Sequence, residues 1–445
     1  MQIPSPSPRF NYLKALSCIP HIFISPWLQL KYYFFGVYGR YCMVRGIMFE
    51  KLPKPSHIRC VLFVLLLTSF LCGCMMPNDG PTGTQEGYPP LGTEVQRFYA
   101  PDDIGNLVWS PDQRYLAGSN EHDTIVYLWN AESGREIWRR QKVRGSGYRG
   151  NGLAFTSDGR AIITSFVGVG RERPEATLSV LSVRDGSVLR DVYAPLPERG
   201  MNYSHNFSID KDQVAVSLGG SRVGIFDEKD WSLIRMIGPV LNKFGDPVGI
   251  DHVALDVNRD IVVLGWGGLG FATVQTWKLS ENRKVAEFKP YSVSGITAMT
   301  INRDSGRLVT GGDMVITWPK EELAKYGPID FSTSIRDDHW RLVRGWNPLT
   351  GEREIVYAGP ESMQRTLNLS PDGRWLAAAN GGSIRTNHGY ATIWNLESGE
   401  IRGVRIHGDN GISGVSFSPD GRKLAYAVAS HIYIVDVSSI VSDFR

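Results

Sequence analysis

The residues able to do chemistry are unevenly spread along this chain. All five cysteines stand at or before residue 74: Cys18, Cys42, Cys60, Cys72 and Cys74. Residues 75–445 therefore have no disulfide, no thiolate nucleophile and no cysteine metal ligand. Cys72 and Cys74 close an apolar run, VLFVLLLTSFLCGC, that begins at Val61. As a CxC redox or metal pair it has no second pair of ligands beside it. As the end of a membrane helix it is short, because Val61–Cys72 supplies 12 residues where crossing the hydrocarbon takes about 20. As a processing site it has what cleavage needs: a small residue beside the cut and a thiol that can accept a lipid. None of the nine histidines stands in an HxH or HxxxH spacing, and no spaced metal set is expected. GxSxG, HExxH, Walker and dinucleotide patterns are absent. Gly265-Trp266-Gly267-Gly268-Leu269-Gly270 is rich enough in glycine for a phosphate loop, but it lies between strand-like stretches and reads as turn glycines.

The flanks of the apolar run decide between these readings. Lys51, Lys54 and Arg59 form a positive n-region, and Val61–Phe70 is the h-region of a secretory signal. Leu71, Cys72, Gly73 and Cys74 then resemble the bacterial lipobox, although Cys72 stands where Ala, Ser or Thr is commoner. The resemblance implies cleavage before Cys74 and lipid on its sulfur. Met75, where an Asp would imply retention at the inner membrane, implies the outer membrane, facing the periplasm. An uncleaved anchor helix is the competing reading. From Met48 the signal covers 48–73, and residues 1–47 read as an over-extended or disordered N-terminus. The alternative for that segment is a membrane-associated stretch, IFISPWLQLKYYFFGVY. Residues 74–93, rich in Pro, Gly and Thr, read as a flexible tether.

Charge separates the same parts. The formal net charge is +3, but residues 1–73 hold eight Lys/Arg and one acid, which leaves 40 basic and 44 acidic residues beyond them. The body is mildly acidic and gives no electrostatic footprint for nucleic acid.

From about residue 94 one pattern recurs seven times. At its turn it reads VWSPDQRYLAGS (108–119), AFTSDGRAIITS (154–165), FSIDKDQVAVSL (207–218), ALDVNRDIVVLG (254–265), TINRDSGRLVTG (300–311), LNLSPDGRWLAAA (367–379) and VSFSPDGRKLAYA (415–427). Asp112, Asp158, Asp210, Asp304, Asp372 and Asp420 mark the turns, with Asn258 in the fourth copy. Neighbouring marks lie 46 to 52 residues apart, except for 68 between Asp304 and Asp372. Each copy predicts a hairpin. A second strand-turn-strand follows each, as in IVYLWNAESGREI (125–137) and ATIWNLESGEI (391–401). Four strands per copy, seven times over, predict a β-propeller.

These repeats resemble the WD40-repeat family over about 94–439. Ser-Pro-Asp-Gly at 370–373 and 418–421 matches the family's turn, and Trp129-Asn130, Trp346-Asn347 and Trp394-Asn395 stand where Trp-Asp would. Ile406-His407-Gly408-Asp409 approximates the Gly-His opening; the other blades lack it, which marks a divergent member. The expected fold is all-β: a seven-bladed β-propeller of four-stranded antiparallel blades over 94–445. The seventh blade has only three strands of its own, so VQRFYA (95–100) is expected to close the ring as its outermost strand. Trp318 and Trp346 compete for the third strand of blade five; NPLTGERE after Trp346 parallels NLESGEIR and favours Trp346. The insertion 319–340 then joins strands two and three. Trp109 and Phe417 are expected in the core.

Function follows from the face where blade-joining loops gather. Arg149, Arg171, His205, His252, Trp266 and His388 are expected there as a possible binding face, against the reading that they are ordinary loop or strand-edge residues. The resulting expectation is a lipid-anchored envelope propeller, not an enzyme, that acts as a scaffold for a protein partner. It would meet the membrane through lipid on Cys74 and need no nucleic acid, cofactor or metal. The alternative is a small-ligand-binding or enzymatic propeller that uses the channel mouth.

Overall fold

The turn chemistry of the repeats sets the strands. In SPDQ the Ser110 hydroxyl donates to Asp112 Oδ1 (2.7 Å) and accepts the Tyr115 amide (2.9 Å), while Asp112 accepts the Arg114 amide (3.1 Å). Thr156 with Asp158 and Ser418 with Asp420 repeat the arrangement at 2.7 and 2.6 Å. The Arg160 amide and the Thr156 hydroxyl hold the Asp158 carboxyl below its usual range. The residue that reverses the chain has positive φ in all seven copies: Gln113, Gly159, Lys211, Asp260, Gly306, Gly373 and Gly421. Glycine is favoured there because only it reaches that conformation without strain.

The computed structural model describes residues 29–37 and 40–48, and residues 88–441 apart from 121–124, 142–151, 166–177, 193–206, 219–220, 268–271, 292–294, 313–342, 358, 360–362, 382–387 and 409–410. It contains seven four-stranded antiparallel sheets; six run in chain order from first to fourth strand, and the seventh takes its fourth strand from the N-terminal side of the ring. Blade one is Ile104–Trp109, Tyr115–Asn120, Ile125–Asn130 and Glu136–Gln141. The expected seven-bladed propeller is thus present, with no helix among the described residues. In blade five the third strand is Val343–Trp346, as the NPLTGERE parallel favoured, so residues 313–342 connect strands two and three.

First strands of neighbouring blades meet at the ring's centre. The Phe417 amide donates to Asn368 Oδ1 (2.8 Å), the Leu255 amide to Ser208 Oγ (3.0 Å) and the Trp109 indole to the Ser416 carbonyl (3.2 Å). Apolar clusters fill all seven junctions between blades. Trp109 and Phe417 are buried in two of them, as expected. Stability therefore belongs to the closed ring more than to any one blade, because each sheet buries its faces only against its neighbours.

Closure uses the N-terminal strand. Thr93–Tyr99 pairs antiparallel with His431–Asp436 as the outermost strand of blade seven. The chain is pinned even earlier. Pro90 bridges in parallel to Val404 on the outer strand of blade six, with Val404 N–H donating to the Pro89 carbonyl (2.8 Å) and Leu91 N–H to the Val404 carbonyl (3.2 Å). Leu91 is fully buried between blades six and seven. Gly403 leaves room for this: a Cβ there would lie 3.0 Å from Leu91 Cα and 3.1 Å from the Pro90 carbonyl. Gly403→Val should eject Pro89–Leu91 and cost about 2 kcal/mol in denaturant unfolding, with new protease cutting before residue 93.

Residues up to Asn78 form a separate unit, in which Gln29–Val37 and Arg40–Met48 pair as an antiparallel hairpin.

Candidate interaction face

Antiparallel order fixes the two faces of the ring. Loops from strand one to two and from three to four lie on one face; loops from strand two to three and from blade to blade lie on the other. The blade-joining face takes the start of each first strand and the end of each second. His252 opens the first strand of blade four and Trp266 ends the second. His388 immediately precedes the third strand of blade six, Gly389–Asn395. All three lie at the blade-joining end. His388 is open to solvent, whereas His252 and Trp266 are buried. Arg149, Arg171 and His205 lie outside the described residues, as do Leu71, Cys72, Gly73 and Cys74.

His252 is held under the face and does not project from it. Its Nε2 lies 3.1 Å from the Ile296 carbonyl, an arrangement that puts the proton on Nε2. Burial pushes its pKa below the usual imidazole range, against the Asp251 charge and the bond to Ile296, which pull it up. The sign for stability follows from the depressed value. As pH falls through the ordinary imidazole range near 6.5, the unfolded chain takes up a proton that the folded ring refuses, so stability drops. His252→Phe should flatten that slope between about pH 7 and 5, read by urea unfolding at each pH. An unchanged slope would place the titration elsewhere.

Next to His252 stands the most prominent feature of the face among the described residues, one that the sequence expectations did not include. The connection from blade three (ending Leu233–Ile237) to blade four folds as a small hairpin over 238–251. Its base is packed: Val240, Val248 and Ile250 are buried between blades three and four. The Val240 amide donates to the Ser221 carbonyl (2.7 Å) and Gln275 Nε2 to the Leu241 carbonyl (3.1 Å). Its tip is an Asx turn. Asn242 Oδ1 accepts the amides of Phe244 (2.8 Å) and Asp246 (2.9 Å), while Asn242 N–H donates to the Asp246 carbonyl (2.9 Å). Gly245 turns the chain at φ 87°. Phe244 stands on this tip at 76% exposure, the most exposed large apolar side chain among the described residues. Lys243 Nζ lies 4.8 Å over its ring. The only signal in the sequence is the turn chemistry of Asn242-Lys243-Phe244-Gly245-Asp246, and one apolar residue in a loop has no periodicity to reveal it.

Across the ring, exposed Tyr99 meets His431 edge-on at 4.6 Å at the end of the closing strand. Among the described residues, no three of His, Cys, Asp and Glu are grouped to hold a metal.

Comparison with known proteins agrees with this architecture. Residues 92–130 match the family model described as WD domain, G-beta repeat. The match begins at the closing strand and ends with the third strand of blade one, so the sequence repeat is offset from the structural blade by one strand. That offset is what ring closure by an N-terminal strand requires. The resemblance to WD40 repeats is borne out over 92–130, and the fold is a seven-bladed β-propeller. Among solved structures, a chain of "Crystal Structure of Mitotic Checkpoint Complex" is similar with TM-score 0.53 and 16% identity, over 81% of this chain and 97% of that one. In all, 1330 chains of solved structures match, so the likeness gives a fold that is put to many uses. No protein of curated function matches the chain.

Proposed function

We propose that the chain is a lipid-anchored scaffold of the bacterial envelope, holding a protein partner on the blade-joining face of its ring. The observation that carries this reading is the pre-built hairpin over 238–251: a satisfied, rigid backbone that lifts an aromatic side chain into solvent. Interfaces draw much of their affinity from such preorganised aromatic anchors. The WD-domain match and the likeness to a chain from a multi-protein complex favour protein binding over catalysis. Arg149, Arg171, His205 and His388 would extend the contact around the channel, with His252 and Trp266 as its packed support.

Anchoring rests on the sequence. The signal-like run ends in Leu71-Cys72-Gly73-Cys74, and Cys74 would be the one cysteine of the mature chain. Diacylglyceryl on sulfur with a further acyl chain holds a protein stably on a bilayer, where one chain does not. The ring is pinned from Pro89 onward, so roughly 15 residues would link lipid to disc, an extended reach of about 50 Å. Membrane fractionation and intact mass test the anchor. The wild-type chain should sediment with membranes and begin at a lipidated Cys74, and Cys74→Ser should lose both properties. Unchanged mass and sedimentation in Cys74→Ser would remove lipidation from the account.

A further inference from the structure

We infer that Phe244 and Lys243 form the anchor of the partner interface, with Phe244 seated in an apolar pocket whose lip carries a carboxylate for Lys243. The inference rests on the scaffold reading above and says where, and by what chemistry, the partner is held.

Three observations carry it. First, the fold does not use Phe244. The tip is closed by Asn242 and Asp246, the base by Val240, Val248 and Ile250, and none of these contacts involves the phenyl ring. Second, the ring is held out in water. Exposure is 76%, and the neighbouring Gly245 has nothing within 4 Å of where a Cβ would be. A large apolar group fixed in solvent, on a backbone that has already lost its freedom, is what a binding anchor requires. Third, the charge beside it is that of Lys243. Lys243 makes no ion pair among the described residues, and its ammonium sits over the phenyl face. Asp246, the other charge of the tip, receives a hydrogen bond from Asn242 Nδ2 (3.3 Å). The charge in contact with the apolar group is therefore positive. Its complement is an apolar pocket with an acidic lip.

The test places p-benzoyl-phenylalanine at position 244 of the full chain in its native membranes, with a second probe at exposed Leu189 on the outer rim. On irradiation, position 244 should crosslink to one protein, at apolar residues flanked by Asp or Glu. Phe244→Ala should lower partner recovery about thirtyfold, and Lys243→Glu about tenfold. The melting temperature of Phe244→Ala should match wild type, which separates lost binding from lost folding. Crosslinks from 244 to lipid, or to a protein surface without acids, would overturn the inference. Protein crosslinks from 189 with none from 244 would overturn it too, while leaving the scaffold reading intact. Silence at both positions would sink both.

Discussion

Deleting residues 88–100 should abolish cooperative folding of the ring, the largest effect expected anywhere in the chain. The segment supplies the fourth strand of blade seven and fully buried Leu91 and Ala100. It also supplies Phe98, which packs 5.9 Å from Trp129 in blade one. Without it, blade seven ends at a bare edge and the junctions on both sides lose part of their core. A single substitution should reproduce much of this. Gly92 has φ 56°, and a Cβ there would lie 2.0 Å from the Asp436 carbonyl oxygen, a backbone atom that cannot step aside. Gly92→Val should therefore cost about 3 kcal/mol or more, from left-handed strain together with the clash. Urea unfolding should show a lowered midpoint. A midpoint within error of wild type would mean that the strand enters blade seven by another path.

The second large effect is expected on the face opposite the blade-joining loops, where charged side chains stitch blades three, four and five together. Asp256 is fully buried and pairs with Arg259 Nη1 at 2.8 Å while accepting the Arg259 amide at 3.0 Å. Arg259 also reaches into blade five, donating to the carbonyls of Arg303 and Asp304. Arg303 in turn pairs with Asp210 Oδ1 of blade three (3.1 Å) and donates to the Leu255 carbonyl (3.3 Å). Asp256→Ala leaves the guanidinium without its carboxylate and the Arg259 amide without its acceptor. The guanidinium keeps partial access to water, so the loss should be about 3 kcal/mol, the lower end for breaking a buried pair. Asp256→Asn should recover part of it, because the side-chain oxygen can still accept the amide. Equal losses for the two variants would show that charge alone mattered.

This network also shows how far the fold was legible in the sequence. Ser-Pro-Asp-Gly and its variants announced the first hairpin of blades one, two, six and seven, because that turn needs a hydroxyl, a carboxylate and a left-handed residue in fixed order. Asp210 carried the same mark for a different reason. Its chain reverses at Lys211, and its carboxylate instead accepts the Val257 amide of the next blade (2.7 Å) and pairs with Arg303. Position along the chain cannot separate these two roles, since one is local and the other joins residues about 47 and 93 apart. Ring closure was legible because seven repeats with one strand short leave a single solution. The face was only partly legible. Topology placed His252, Trp266 and His388 at one end of the blades, but burial of two of them depends on packing between blades that no local pattern encodes. Phe244 was invisible for the complementary reason: its exposure comes from a hairpin whose supports lie in the Ser221 carbonyl and the Gln275 side chain.

A partner held on the blade-joining face would be read most directly through the described lysines of the ring, which divide between its two faces. Lys243 and Lys289 stand on that face, in the connections leading into and out of blade four. Lys211, Lys229 and Lys423 stand on the other, at the turns between strands one and two or three and four. Amine-reactive crosslinking of the full chain in intact membranes, followed by peptide mass spectrometry, should join partner peptides to Lys243 and Lys289 and leave Lys211, Lys229 and Lys423 unlinked. Partner peptides joined to the second set instead would contradict the account.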